Sequence, residues 1–385
     1  MRQSLIRHFW LLASIPLLVL PAWSYSNPEV AKADKCIDAG QFKDARDLLE
    51  KMLDSKDPHP EALELYSMVP FYDNASEMGS RAFACAREAA RRNPKNSHIL
   101  ATYALVLGEL KKYEEGIKII NRAIELNPKD GRAHAIAAYL YKKVEDTPAA
   151  NGQMLEALRL DSKSRDVNYI AAKFYWEELD GNKVEECYKR WLKNYPNSAL
   201  AHYKAAAYYK DLRRNEEAIL ECKRAIALNN NFMLARLLWQ NILFKQKRYK
   251  EAAEQITSFM TICFPSFATY CDRAECYANL NQPQKSIDDY TKAINLRSPS
   301  IAKEGLVKAV SHMPKPEKKD QLSWWVARSY QYSKMQNHKK AIDDMNLIVA
   351  AYPNSPSVYY ARAKVFEAAK KYPEASKRCQ STYSA

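Results

Sequence analysis

The chain has 385 residues, 47% of them hydrophobic and 27% charged, with only 8 Gly; this balance describes a folded, helix-rich protein and excludes a disordered one. The formal net charge of +14 points to an anionic partner. There is little glycine for phosphate-cradling loops, and no GxSxG, HExxH, GxxxxGKS/T or GxGxxG pattern occurs, so the sequence predicts no catalytic residue, no cofactor and no metal.

Residues 1–24, MRQSLIRHFWLLASIPLLVLPAWS, begin with Arg2 and Arg7, carry an apolar run from Phe9 to Leu20, and end in the small-x-small triplet Ala22-Trp23-Ser24. This is the pattern of a secretory signal peptide. The run is 12 residues long with Pro16 inside it, whereas a membrane span needs roughly 20 apolar residues. The expectation is an exported protein, periplasmic or extracellular, cleaved near Ser24 and not inserted in a membrane afterwards.

From residue 63 onward, residue types return every 34 positions, in blocks starting at 63, 97, 131, 165, 199, 233 and 267 and ending at 300. Position 20 of each block is Ala82, Gly116, Ala150, Val184, Ala218, Ala252 or Ser286, and position 8 is Ala104, Ala138, Ala172, Ala206 and Ala274 in five of them. Small residues there let two helices approach closely. Position 11 is aromatic in Tyr141, Tyr175, Tyr209 and Tyr277, and position 27 is Ala except at Trp191 and Phe259, which is helical core spacing. Position 34 is Asn96, Asp130, Ser164, Ser198, Ser266 or Ser300, each with an oxygen able to cap the next helix; Phe232 alone breaks this rule. Pro94, Pro128 and Pro196 end the helix before the cap.

These residues resemble the tetratricopeptide repeat, whose pattern of small residues at 8, 20 and 27, an aromatic at 11 and Pro at 32 they match. The resemblance extends to residues 26–59, with Gly40, Phe42 and Ala45 in phase, to 322–355, with Trp325, Tyr332, Ala341 and Pro353, and to a shortened unit from Pro356 with Ala363, Tyr372 and Ala375. It implies an all-α fold, an α-solenoid of about ten helix pairs in a right-handed superhelix with a concave face. The main array then covers 25–300, residues 301–321 form a short helix and a basic linker, and 322–385 hold the C-terminal units. Two local expectations depart from the pattern: Pro70, taken at position 8, should stop or kink its helix near Val69, and the linker is a candidate hinge. In addition, Arg273 and Asp289, and likewise Arg328 and Asp344, occupy positions 7 and 23 and are expected to pair; the last unit has Arg362 and Arg378 there.

His134 and His202 share position 4, two units apart, and read as core residues with satisfied nitrogens rather than as a site. For the eight Cys, bridges at 187 to 222 or 263 to 271 and buried free thiols are both open.

The resemblance places the concave face at first-helix positions 2, 5, 6, 9, 12 and 13. In the units starting at 131, 165, 199 and 233 these supply Arg132, Lys142, Lys143, Lys173, Lys204, Lys210 and Lys245 against Asp166, Glu177 and Asp211. Tyr139, Tyr169, Trp176, Tyr203 and Phe244 are interleaved, with Asn241 as an amide, while earlier units place Asp34, Asp38, Glu64 and Glu109 on the same face. No unit has the Lys at 5 with Asn at 9 of the family's peptide-end clamp. The expected function is an exported, non-catalytic scaffold that binds a partner protein or peptide with acidic and aromatic or aliphatic groups along this face. The alternative is an anionic envelope glycan or cell-wall polymer on the same residues. Export argues against nucleic acid.

Overall fold

The computed structural model describes residues 25–73, 79–262, 265–297, 323–352 and 355–370. The expected signal peptide, the 301–321 linker and the second helix of the last unit lie outside them. The described residues are helical and contain no strand, in two compact units, 1–236 and 237–385. The all-α repeat fold is therefore as the 34-residue period predicts.

The described residues of the first unit hold six antiparallel helix pairs: α1 Pro28–Asp38 with α2 Phe42–Leu53, α3 Pro60–Asp73 with α4 Ser80–Arg92, α5 Ser97–Glu109 with α6 Tyr113–Leu126, α7 Gly131–Lys143 with α8 Thr147–Asp161, α9 Arg165–Glu177 with α10 Gly181–Asn194, and α11 Ala199–Asp211 with α12 Asn215–Leu228. Helix α13, Met233–Lys245, spans the division at residues 236 and 237. The second unit continues with α14 Tyr249–Met260, α15 Phe267–Asn279, α16 Pro283–Arg297, α17 Ser323–Lys334, α18 His338–Ala351 and α19 Pro356–Ala368.

Local chemistry sets these boundaries. The side chains of Asn96, Asp130, Ser164, Ser198 and Ser266 each accept a hydrogen bond from the backbone N–H three residues on, at the start of α5, α7, α9, α11 and α15. Where the turn within a pair is described, it passes through a left-handed residue at position 15: Lys111, Glu145, Leu179, Arg213, Lys247 and Asn281 have φ between 55° and 62°, and Gly40 has φ 71°. The small residues at positions 8 and 20 are buried, as are the exceptions Trp191 and Phe259 at position 27.

Pro70 does not stop its helix near Val69, one of the two outcomes expected of it. Helix α3 begins at Pro60, three residues before the periodic phase, and continues through Pro70 to Asp73. Pro70 is thereby the eleventh residue of a fourteen-residue helix, and without an N–H it makes no bond to the carbonyl of Tyr66, four residues back. Burial of Phe71 and Tyr72 holds the final turn in place.

His134 and His202 are satisfied repeat-core residues. Each has Nδ1 against a side-chain oxygen, Gln153 at 2.6 Å and Glu221 at 2.5 Å, and Nε2 against a backbone carbonyl six residues back, Pro128 at 2.9 Å and Pro196 at 3.1 Å. Cys187 and Cys222 are buried free thiols, and burial pushes their pKa values up to about 11 and about 12. Cys263 lies outside the described residues.

Candidate functional site: the inner face of the first unit

The first helices of the six pairs line the inner face, and the chain closes that face on itself. Asn229 donates from Nδ2 to the Ala39 carbonyl at 2.7 Å, and Ser198 donates from Oγ to the Asp38 carbonyl at 3.3 Å. Phe232, the residue that breaks the capping rule, is buried against Phe42 and Tyr203, with ring centroids 6.3 and 5.2 Å away. The first repeat is thus packed on the sixth across more than 150 residues of sequence.

Charge holds the closure from inside. Arg165, at the start of α9, donates from Nη2 to Asp34 at 3.0 Å, from Nη1 to Asp38 at 3.1 Å and from Nε to Asp166 at 3.0 Å. Asp166 also accepts from Arg132 Nε at 2.8 Å and from the Tyr72 hydroxyl at 2.6 Å. Arg132 continues to Thr102 at 2.9 Å, Thr102 donates to Glu64, and Tyr25 donates to Glu64 at 2.8 Å. Burial alone would raise the Asp166 pKa, but Arg165 and Arg132 reverse this and hold its carboxyl well below the usual range. Burial wins at Asp34 and Glu64, whose pKa values are raised despite Arg165 and Arg132 beside them.

Toward the other ends of the same helices, Phe71 and Tyr72 of α3 meet Tyr169 of α9 at 5.2 and 6.2 Å. Lys173 lies 4.5 Å from the Phe71 ring centre and 3.4 Å from a Glu109 oxygen. Lys204 is only 4% exposed and donates to the Tyr169 hydroxyl at 2.9 Å. Burial, with Lys173 as a like-charged neighbour, lowers its pKa to about 7.

The first unit brings together ten of the thirteen residues expected on the face. Arg132, Tyr139, Tyr169 and Lys204 are buried and Tyr203 is half-buried. Lys142 pairs with Glu178, Lys143 with Glu177 at 2.5 Å, and Lys210 with Asp211 at 2.7 Å. The acidic side chains of the early repeats meet basic ones of the later repeats through Arg165 on Asp34 and Asp38, Arg132 beside Glu64 and Lys173 on Glu109. Trp176 remains 44% exposed, edge-on to Tyr208 at 5.9 Å. The other three residues lie in the second unit, where Asn241 and Lys245 are exposed and Phe244 packs edge-on to Tyr249 at 5.9 Å.

Two features were missed. Arg165 stands at position 1, where neighbouring units have Ser97, Gly131 and Ala199; a lone large cation among small residues was the available signal. Leu179, 91% exposed in the turn after Trp176, occupies a left-handed position that is polar or Gly at the other described repeats.

A cavity of about 890 Å3 opens where the inter-repeat turns meet this cluster, lined by the Asn93–His98, Asn127–Arg132 and Ser164–Asp166 regions with Asp34, Asp38 and Tyr195. In the second unit, Arg273 bridges Asp289 with two bonds at 2.7 and 2.8 Å, and Arg328 bridges Asp344 at 2.8 and 2.6 Å, as expected from their positions. No described helix is long and apolar enough to cross a membrane.

Residues 97–130 and 267–299 match the family model for the tetratricopeptide repeat, so these repeats are present in both units. The mouse interferon-induced protein with tetratricopeptide repeats 2 is 25% identical over 203 residues, covering 51% of this chain and 42% of that protein. Mouse DnaJ homolog subfamily C member 7 is 24% identical over 280 residues, covering 69% of this chain and 52% of that protein. The chain spans about half the length, or less, of these relatives. Among solved structures, the human IFIT1 dimer with m7Gppp-AAAA is similar at 16% identity and a TM-score of 0.43, covering 92% of this chain and 80% of that one.

Proposed function

We propose that this protein is an exported, non-catalytic scaffold whose first unit binds a segment of a partner protein at the end of α9. The repeat fold is a protein-binding scaffold in general; the observation that carries the finer reading is the pairing of Trp176 and Leu179 as exposed apolar side chains at one helix end. Leu179 donates its N–H to the Trp176 carbonyl at 3.1 Å, so both side chains sit on one turn. Closure of the inner face, with Arg132, Tyr139, Tyr169 and Lys204 buried, leaves this rim rather than the full groove for a partner. Lys142 and Lys143, each held by a glutamate, flank the rim and can exchange that glutamate for a partner's carboxylate.

An aromatic anchor surrounded by exchangeable ion pairs suits a segment with an aliphatic or aromatic side chain beside acidic ones. An anionic glycan fits less well, because Glu177, Glu178 and Asp211 stand among the lysines. The test is photocrosslinking from a probe residue at Leu179 in exported protein, followed by identification of the captured chain. A discrete protein band lost in Trp176→Ala supports the reading; capture of polysaccharide alone overturns it.

A further inference from the structure

The cavity at the inter-repeat turns is separate in chemistry from the Trp176 rim. Five Lys or Arg and five Asp line it, so its formal charge is balanced. Its volume of about 890 Å3 is within the range of small-molecule sites. Unlike most such sites its wall is polar, and much of that polarity has capacity left over. Asn96 caps α5 through Oδ1 and Asn127 accepts from Lys129 N–H through Oδ1, which leaves both amide nitrogens without a partner among the described residues. Asn93 donates to the Ala89 carbonyl, leaving its own oxygen. Asp34 and Asp38 each give one oxygen to Arg165 and keep the other.

Donors and acceptors thus both remain around a charge-balanced space, and the half-buried Tyr195 is among the residues that line it. A phosphorylated or otherwise polyanionic ligand would meet as many carboxylates as cations. A hydroxyl both donates and accepts, so a ligand dense in hydroxyls satisfies amide nitrogens and carboxylate oxygens together. We infer that this cavity binds a neutral saccharide, with Asn96 and Asn127 donating, Asp34 and Asp38 accepting, and a sugar face on Tyr195.

The experiment is calorimetric titration of the full chain with neutral trisaccharides of glucose, mannose and N-acetylglucosamine, with inositol hexakisphosphate as the anionic probe. A neutral trisaccharide is expected to bind with an affinity that salt leaves unchanged, as an uncharged ligand has no counterions to exchange. Asn127→Ala and Tyr195→Ala should each weaken it by about tenfold or more while helicity at the titration temperature stays at the wild-type value, and Trp176→Ala should leave it unchanged. Absence of binding by every neutral sugar, preferential salt-sensitive binding of the polyphosphate, or saccharide affinity untouched by both variants would overturn the assignment.

Discussion

A β-carbon on Gly40 would lie 2.6 Å from the Phe232 ring, and that ring is 1% exposed and cannot retreat. Gly40 also has φ 71°, but so do residues as large as Lys111, Leu179 and Arg213 at the same repeat position, with φ 62°, 58° and 60°. Glycine is therefore required here by the approach of Phe232, not by the turn. Gly40→Ala should destabilise the first unit by about 1–3 kcal/mol, as overpacking does, measured by denaturant unfolding. The same substitution in a Phe232→Ala background should cost less, by a coupling of about 0.5–3 kcal/mol. Additive effects would mean that the two residues do not meet in solution.

Arg165 touches three carboxylates, and removing it strands them. Arg165→Met should cost about 3–5 kcal/mol, the usual penalty for breaking a buried ion pair from one side. Asp166 supplies the pH signature. Its folded pKa is held below the unfolded one, so its contribution is complete above the unfolded value of about 4 and fades as pH falls through the folded one. Stability of Asp166→Asn should accordingly differ most from wild type near neutrality and converge on it in strong acid. A constant gap at all pH values would remove Asp166 from the clasp.

Lys204 gives a slope of the same sign in a different window, above neutrality rather than in acid. Its folded pKa of about 7 is below that of a free lysine, so above pH 7 the unfolded chain binds a proton that the folded one does not, and stability rises with pH. Wild-type protein should gain stability between pH 7 and about 10, and Lys204→Met should flatten that rise. A Lys204→Met curve parallel to wild type would show the amine to be charged and solvated.

The fold was legible because the 34-residue period writes the local rules repeatedly: caps at Asn96 and Asp130, small residues at Ala138 and Ala150, paired Arg328 and Asp344. The closure of the inner face was not. It depends on where the first repeat meets the sixth, a product of small rotations per repeat that no single residue encodes. Phe232 was visible as an exception while Arg165 was passed over, and each gains meaning only from Gly40, Asp34 and Asp38, more than 120 residues away. For the same reason Lys204, an ordinary inner-face lysine by position, is a buried group.

Trp176 separates docking from packing. It is the half-exposed member of an inner face whose other aromatics in the first unit, Tyr139, Tyr169 and Tyr203, are buried or nearly so. An indole left at the surface and braced on one side by Tyr208 is pre-organised to be covered by a partner. Trp176→Ala should weaken partner binding by ~2 kcal/mol or more, a hot-spot loss, while Tm changes little. Leu179→Ser should give a smaller loss, and the two should be non-additive if they contact one side chain of the partner. Raising salt should weaken binding through Lys142 and Lys143, but only mildly, since the anchor is apolar. A large fall in Tm with unchanged affinity would assign Trp176 to the contact with Tyr208 alone and remove the rim as a docking surface.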